Sequence, residues 1–217
     1  MSEIIFVRHG QASFGEENYD KLSSIGHKQA YLLGLKLKDL GFTFDKTVCG
    51  GMVRHRETLE EIQKSVSTPN LIFDNRLNEL NYDQLEESYC QMFEEKAPTN
   101  SLEYCNFFPK LISAWADDRI PNLDESYQHF RNRVNNCVNE NITNGANILM
   151  VSSGGPTSIL ATRALSLSHL GTANILNYTM NSSYSIFKIL NEQFTILQYN
   201  CTPHLDDTKN KDLKTFI

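Results

Sequence analysis

Apolar residues along the chain follow two patterns. Ile4–Val7 and Ile148–Val151 are short unbroken apolar runs, the signature of strands covered on both faces, and Thr47–Cys49 and Leu71–Phe73 are briefer strand candidates. Between them apolar positions return every three or four residues. Ala30, Leu33, Leu37 and Leu40 mark a helix from Ser23 to Leu40, with Ser23 or Ser24 as its cap and Gly41 as its stop. A second helix is predicted over Met52–Ser65, with Glu57, Glu60 and Glu61 facing water. Asn122-Leu-Asp-Glu125 reads as a capping box ahead of a long helix that carries Phe130, Val134, Cys137, Val138 and Ile142 and ends near Gly145. A further helix follows Ser152-Ser-Gly-Gly-Pro156 and reaches about Ser166. Tyr184–Leu190 and Phe194–Tyr199, separated by Asn191-Glu-Gln193, predict a closing hairpin of edge strands. Strands alternating with helices define an α/β fold: a three-layer α/β/α sandwich on a mostly parallel central sheet. From 81 to 121 the pattern blurs into polar and aromatic stretches with Pro98 and Pro109, read as a mostly helical insertion above that sheet.

Length changes this picture little: 217 residues suit one domain, 1–217, carrying the insertion at about 81–121. Charge narrows the partners. The net charge of −6 comes from acidic and basic residues interspersed along the chain, so no basic face offers itself to nucleic acid or to an anionic membrane. The apolar run at the N-terminus is too short for a signal segment, and no stretch approaches the roughly 20 apolar residues of a spanning helix. A soluble, cytoplasmic protein is expected. Cys49, Cys90, Cys105, Cys137 and Cys201 are odd in number and never form a C-x-x-C pair, which fits buried, reduced thiols rather than a disulfide frame or a zinc site.

In a sheet of this kind ligands bind at the carboxyl ends of the strands. The first strand ends in Arg8-His9-Gly10, the second leads to Arg54, and the strand ending at Val151 runs into Ser153-Gly154-Gly155 at a helix start. Two guanidiniums, an imidazole and helix N-terminal amides on one rim suit a dianionic phosphate. A neutral imidazole at His9 is able to attack phosphorus, with Gly10 letting backbone approach the oxygens. The expected phosphate contacts are therefore Arg8, Gly10, Arg54, Ser153 and Gly154. No cluster of ligating side chains suggests a metal, and no cofactor is expected.

These residues carry a resemblance. Val7-Arg-His-Gly-Gln11 resembles the phosphohistidine signature of the histidine phosphatase superfamily, the phosphoglycerate-mutase-like proteins. Leu22-Ser-Ser-Ile-Gly-His-Lys-Gln-Ala30, Gly51-Met-Val-Arg-His-Arg-Glu-Thr58, Leu77-Asn-Glu79, Asp124-Glu-Ser126, Asn181-Ser-Ser183 and Asn200-Cys-Thr-Pro-His-Leu205 are similar to further motifs of that family, in the same order. The resemblance implies a two-step reaction: Arg8 and Arg54 hold the phosphate, His9 attacks, Glu79 protonates the leaving oxygen, and water then releases the phosphoryl group. It also exposes two departures. Ser153 stands where the family carries a second catalytic histidine, and Gly15 where an asparagine touches the phosphate.

A neutral hydroxyl at 153 supplies one hydrogen bond and no positive charge, so catalysis is expected to be slow, and Ser153→His to raise kcat, with Gly154 and Gly155 leaving space for the ring. Competing readings stand beside these: Glu79 as a surface carboxylate and Ser153 as a turn residue ahead of Pro156. His27, His55, His129, His169 and His204 are read as structural. The expected function is hydrolysis of a small-molecule or peptide phosphomonoester through phosphohistidine. The alternatives are a phosphoester-binding pseudoenzyme and a phosphoglycerate mutase.

Overall fold

The computed structural model of the chain describes residues 2–13, 20–191 and 193–216. The unbroken apolar runs become the middle of a sheet because both of their faces are covered. In β1 (Glu3–Arg8), Ile4 and Phe6 pack into one core while Ile5 and Val7 pack into the other. β4 (Asn147–Ser152) divides in the same way, with Ile148 and Met150 on the first side and Leu149 and Val151 on the second. With β2 (Lys46–Cys49), β3 (Leu71–Phe73), β5 (Tyr184–Leu190) and β6 (Gln193–Cys201) they form a sheet of order β3-β2-β4-β1-β5-β6. β3, β2, β4 and β1 run parallel, and β5 and β6 are antiparallel additions.

The second core is closed by α1 (Ser24–Asp39) and α2 (Val53–Gln63), which contribute Leu33, Leu37, Leu59 and Ile62. Ser23 caps α1 by accepting a hydrogen bond from the Gly26 amide at 3.0 Å, as the sequence suggests. The first core is closed by α5 (Tyr127–Asn141), α6 (Gly154–Ala164) and α7 (His169–Asn177), together with α3 (Tyr82–Phe93) and α4 (Ser101–Ala116). These last two lie within the stretch read as a helical insertion. Its aromatic residues are what seat it: the Tyr89 and Phe107 rings meet edge to face at 5.1 Å, and Trp115 packs against Tyr127 and Phe130 at the start of α5. The result is the three-layer α/β sandwich that the alternation of strands and helices implies.

Several local expectations are corrected. The cap of α5 is Ser126, whose side chain accepts from the His129 amide at 3.2 Å; Asn122 lies outside the helix with φ +60°, and Glu125 pairs with Arg133. Leu40 is 48 % exposed, because α1 ends one residue earlier and its stripe ends at Leu37. Glu57 and Glu61 turn toward the neighbouring segment rather than to water: Glu57 accepts from the Leu22 amide at 2.7 Å, and Glu61 faces the His27 ring at 3.0 Å. Only β6 of the closing hairpin is an edge, since β5 is hydrogen-bonded to β1 on its other side. Cys49 and Cys137 are buried, whereas Cys90, Cys105 and Cys201 are half-buried, all as free thiols. No helix among the described residues is long and apolar enough to cross a membrane.

Candidate active site

Sheet register places the chemistry. Val7 pairs with Val151 and Arg8 with Ser152, so the next residues, His9 and Ser153, leave the carboxyl end of the sheet side by side. The His9 amide donates to the Ser152 carbonyl at 2.8 Å, and the His9 carbonyl accepts from the Ser182 amide at 3.0 Å. The ring is fixed at both nitrogens: Nδ1 lies 2.6 Å from the Gly10 carbonyl, and Nε2 lies 3.1 Å from Nε of Arg54. A guanidinium only donates, so Nε2 is the unprotonated nitrogen and Nδ1–H is donated to Gly10. Burial holds the imidazole well below its ordinary pKa, and the charges of Arg54 and Arg8 and the His55 ring add to that effect.

Arg54 is itself anchored. Its Nη1 donates to Oδ1 of Asp20 at 2.8 Å, while Oδ2 of Asp20 accepts the first amide of α2, Val53 N–H, at 2.9 Å. Arg8, at the end of β1, donates through Nη1 to the carbonyls of Thr179 and of Phe216, the latter at 3.1 Å. Gly154 sits directly beside it, since a Cβ there would lie 3.5 Å from Nε of Arg8. Glu79 is placed at the start of α6: Oε2 accepts from the Gly155 amide at 3.0 Å and Oε1 from the Leu80 amide at 3.1 Å. A Cβ on residue 155 would fall 2.0 Å from Oε1 of Glu79, so glycine is required there. Arg133 locks the loop that carries Glu79, donating to the carbonyls of Arg76 and Asn78 at 2.7 Å each.

The structure thus brings Arg8, His9, Arg54, Glu79, Ser153 and Gly154 to one end of the sheet. Two details differ from expectation. The Gly10 amide is given to Oγ1 of Thr58 at 3.0 Å rather than aimed at a ligand, and residue 10 is glycine because a Cβ would lie 2.4 Å from the Gly26 carbonyl oxygen. Gly15 lies outside the described residues. The missing side chains of Gly154 and Gly155 make space for Leu176 and Glu79 rather than for a ring at 153, and Oγ of Ser153 meets Nε2 of His55 at 2.6 Å. In Ser153→His the new ring would have to share this space with the His55 ring.

His55, expected to be structural, lies beside the site. It is completely buried, its ring centre lies 5.7 Å from that of His9, and its Nδ1 has no hydrogen-bond partner. The other histidines do carry structural contacts: His27 with Glu57 and Glu61, His129 with Glu125, His169 with Asp117, and His204 with Oγ of Ser182 at 2.8 Å.

Burial keeps His9, His55 and His204 below the ordinary imidazole pKa, His204 at about 3. In the unfolded chain each titrates near about 6.5, so between that value and its folded pKa the unfolded state binds more protons. Stability is therefore complete above about pH 6.5 and lost as pH falls below it, by up to about 1.4 kcal/mol per pH unit for each histidine. Urea midpoints measured at pH 7.5 and pH 5 should show a clear fall, and equal midpoints would contradict the neutral assignment of these rings.

The fold and this rim define an α/β protein with a buried, arginine-flanked histidine at the end of its first strand. The chain belongs to the histidine phosphatase superfamily, branch 1, whose family model matches residues 4–202. Curated relatives include proteins named "Probable phosphoglycerate mutase" from Shigella dysenteriae serotype 1 (strain Sd197) and Escherichia coli (strain K12 / DH10B). Each is 29 % identical over 175 residues, spanning 77 % of this chain and 76 % of the relative. Among solved structures, a phosphoglycerate mutase from Bacillus anthracis str. Sterne aligns with a TM-score of 0.66 at 17 % identity, over 94 % of each chain. A mycobacterial glucosyl-3-phosphoglycerate phosphatase aligns with a TM-score of 0.63 at 18 % identity, over 92 % of this chain and 99 % of its own. At those identities the structural likeness speaks for the fold.

Proposed function

We infer that this chain is a phosphomonoester hydrolase that works through a phosphohistidine at His9, without metal or cofactor. The observation that carries this reading is the tautomer of His9. With Nδ1–H given to Gly10, the lone pair of Nε2 points away from its own backbone toward Arg54, neutral and ready to attack. The Arg54–His9 contact marks where the phosphoryl group enters, its oxygens taking the guanidinium donors that now face the ring. Nε2 forms a bond to phosphorus as the bond to the ester oxygen breaks, and that oxygen leaves with a proton from Glu79. Water then attacks phosphorus, giving a proton to the Glu79 carboxylate, the P–N bond breaks, and inorganic phosphate, neutral His9 and protonated Glu79 are released. Arg8 and Arg54 offset the charge of the equatorial oxygens through both steps.

The substrate is a small-molecule or peptide phosphoester, with no role for nucleic acid or membrane, and the reaction takes place in the cytoplasm. The test is hydrolysis of an aryl phosphate with and without a chelator, with acid-quenched samples analysed by mass spectrometry for phosphate on His9. Equal rates in chelator and a labelled His9 are expected. Activity lost to the chelator and restored by a divalent ion would overturn the metal-free mechanism. Tight phosphate binding without turnover would favour the pseudoenzyme, and interconversion of phosphoglycerates without hydrolysis would favour the mutase.

A further inference from the structure

His55 contributes to no core contact that needs an imidazole. Its neighbours along the buried face of α2 are Arg54, Thr58, Leu59 and Ile62, and packing against the last two asks only for an apolar side chain. Instead a ring with one hydrogen bond and one unmet nitrogen is buried there, and a polar group left in that state normally has a reason. Its one bond is to Ser153. That serine occupies the N-cap position of α6, where a hydroxyl usually accepts from an amide of the first turn, yet its side chain makes no such bond. The hydroxyl has been turned from the helix toward His55.

The direction of that bond follows from the other nitrogen. Nδ1 of His55 faces Gly50 so closely that a Cβ there would lie 2.1 Å away, and no acceptor meets it. An orphaned buried N–H is rarer than an orphaned acceptor, so the proton sits on Nε2 and is donated to Oγ of Ser153. A hydroxyl has a single hydrogen. With its oxygen already accepting from His55, Ser153 has that hydrogen to give, and it lies beside His9, whose amide is bonded to the preceding residue, Ser152.

We propose that His55 is a positioning residue: its Nε2–H holds the Ser153 hydroxyl so that the serine O–H is directed at an oxygen of the phosphoryl group on His9. This rests on the phosphohistidine reading of the site. It also explains why residue 50 is glycine, because any side chain at the end of β2 would displace the ring.

A double-mutant cycle on aryl-phosphate hydrolysis tests it. His55→Phe, which keeps a ring but removes the donor, should lower kcat by about 10- to 100-fold with little change in KM, less than the loss typical of a donor that touches the charge itself. His55→Gln, whose amide reaches the same place, should recover most of that loss. In the Ser153→Ala background His55→Phe should cost almost nothing further, because its effect passes through the serine. Equal losses in both backgrounds, or a His55→Phe enzyme as fast as the parent, would overturn the proposal. Nitrogen-resolved NMR of the unmodified protein gives a second readout should the Phe variant fail to fold. The ring should be the Nε2–H tautomer, and that signal should move when inorganic phosphate saturates the site, but not in Ser153→Ala. An Nδ1–H tautomer, or a signal indifferent to phosphate, would overturn the proposal. Hydrolysis that does not depend on His9 would overturn the phosphohistidine reading instead, leaving the tautomer and the phosphate response to decide on His55.

Discussion

His9→Ala is expected to lower kcat/KM on an aryl phosphate by about 10⁴- to 10⁶-fold, the scale on which loss of a covalent nucleophile is felt. The rest of the site should survive. The ring's two contacts are to the Gly10 carbonyl and the Arg54 guanidinium, and Arg54 keeps Asp20 when the ring is gone. Removing a neutral buried ring leaves a small cavity at the end of the sheet, and the cost in stability should fall in the ordinary range of about 0.5–3 kcal/mol. Calorimetric titration with inorganic phosphate should therefore show binding within a few-fold of the parent, while phosphate on protein disappears from the mass spectrum. Hydrolysis at the parent rate in this variant would remove His9 from the mechanism and require a different nucleophile.

Arg54→Gln should be the next most damaging change, at about 100- to 1000-fold in kcat/KM, the loss usual for one charged donor facing the transition state. It has a signature that simple misfolding lacks. The Arg54 charge is one of the causes, after burial, that hold His9 below its ordinary pKa. Without it the imidazolium form becomes less unfavourable, so the His9 pKa rises and the acid limb of the rate profile should move to higher pH. Arg54→Lys should recover little activity despite keeping the charge, because a single ammonium cannot reach His9, Asp20 and a phosphoryl oxygen from one planar group. An acid limb that stays in place in Arg54→Gln would mean that the guanidinium does not act on His9.

The sheet and the ends of its strands were legible because burial on both faces leaves an unmistakable run of apolar residues, and a strand's exit is where polar residues become available. That logic reaches Arg8, His9, Arg54 and Ser153. It does not reach Asp20, which meets Arg54 only after two loops have folded together, nor α7, whose nine residues include small and polar ones that give a weak period. His55 is a different case. It falls three and four residues before Thr58 and Leu59, on the stripe that α2 buries, and a histidine in register with Leu59 and Ile62 is a signal. Its partner is a serine 98 residues away, which no spacing among the histidines reveals. The false capping box has another origin: Asn122 and Glu125 satisfy the pattern, but the helix is capped by Ser126, directly before its first turn, with His129 rather than Glu or Gln three residues on.

The central position of β1 also governs when the site can exist. Its partners on either side are Ile148 and Phe187 for Ile4, and both are synthesised long after it. At about 5–20 residues per second, roughly 7–30 s pass between synthesis of Ile4 and of the strand that first covers it. For that interval an apolar segment is without its sheet, and pairings across such a span of sequence form slowly even once they can. His9, which directly follows β1, is thus seated among the last events of folding. Conditions that slow translation or deplete chaperones should reduce the yield of active protein before they affect the stability of molecules already folded.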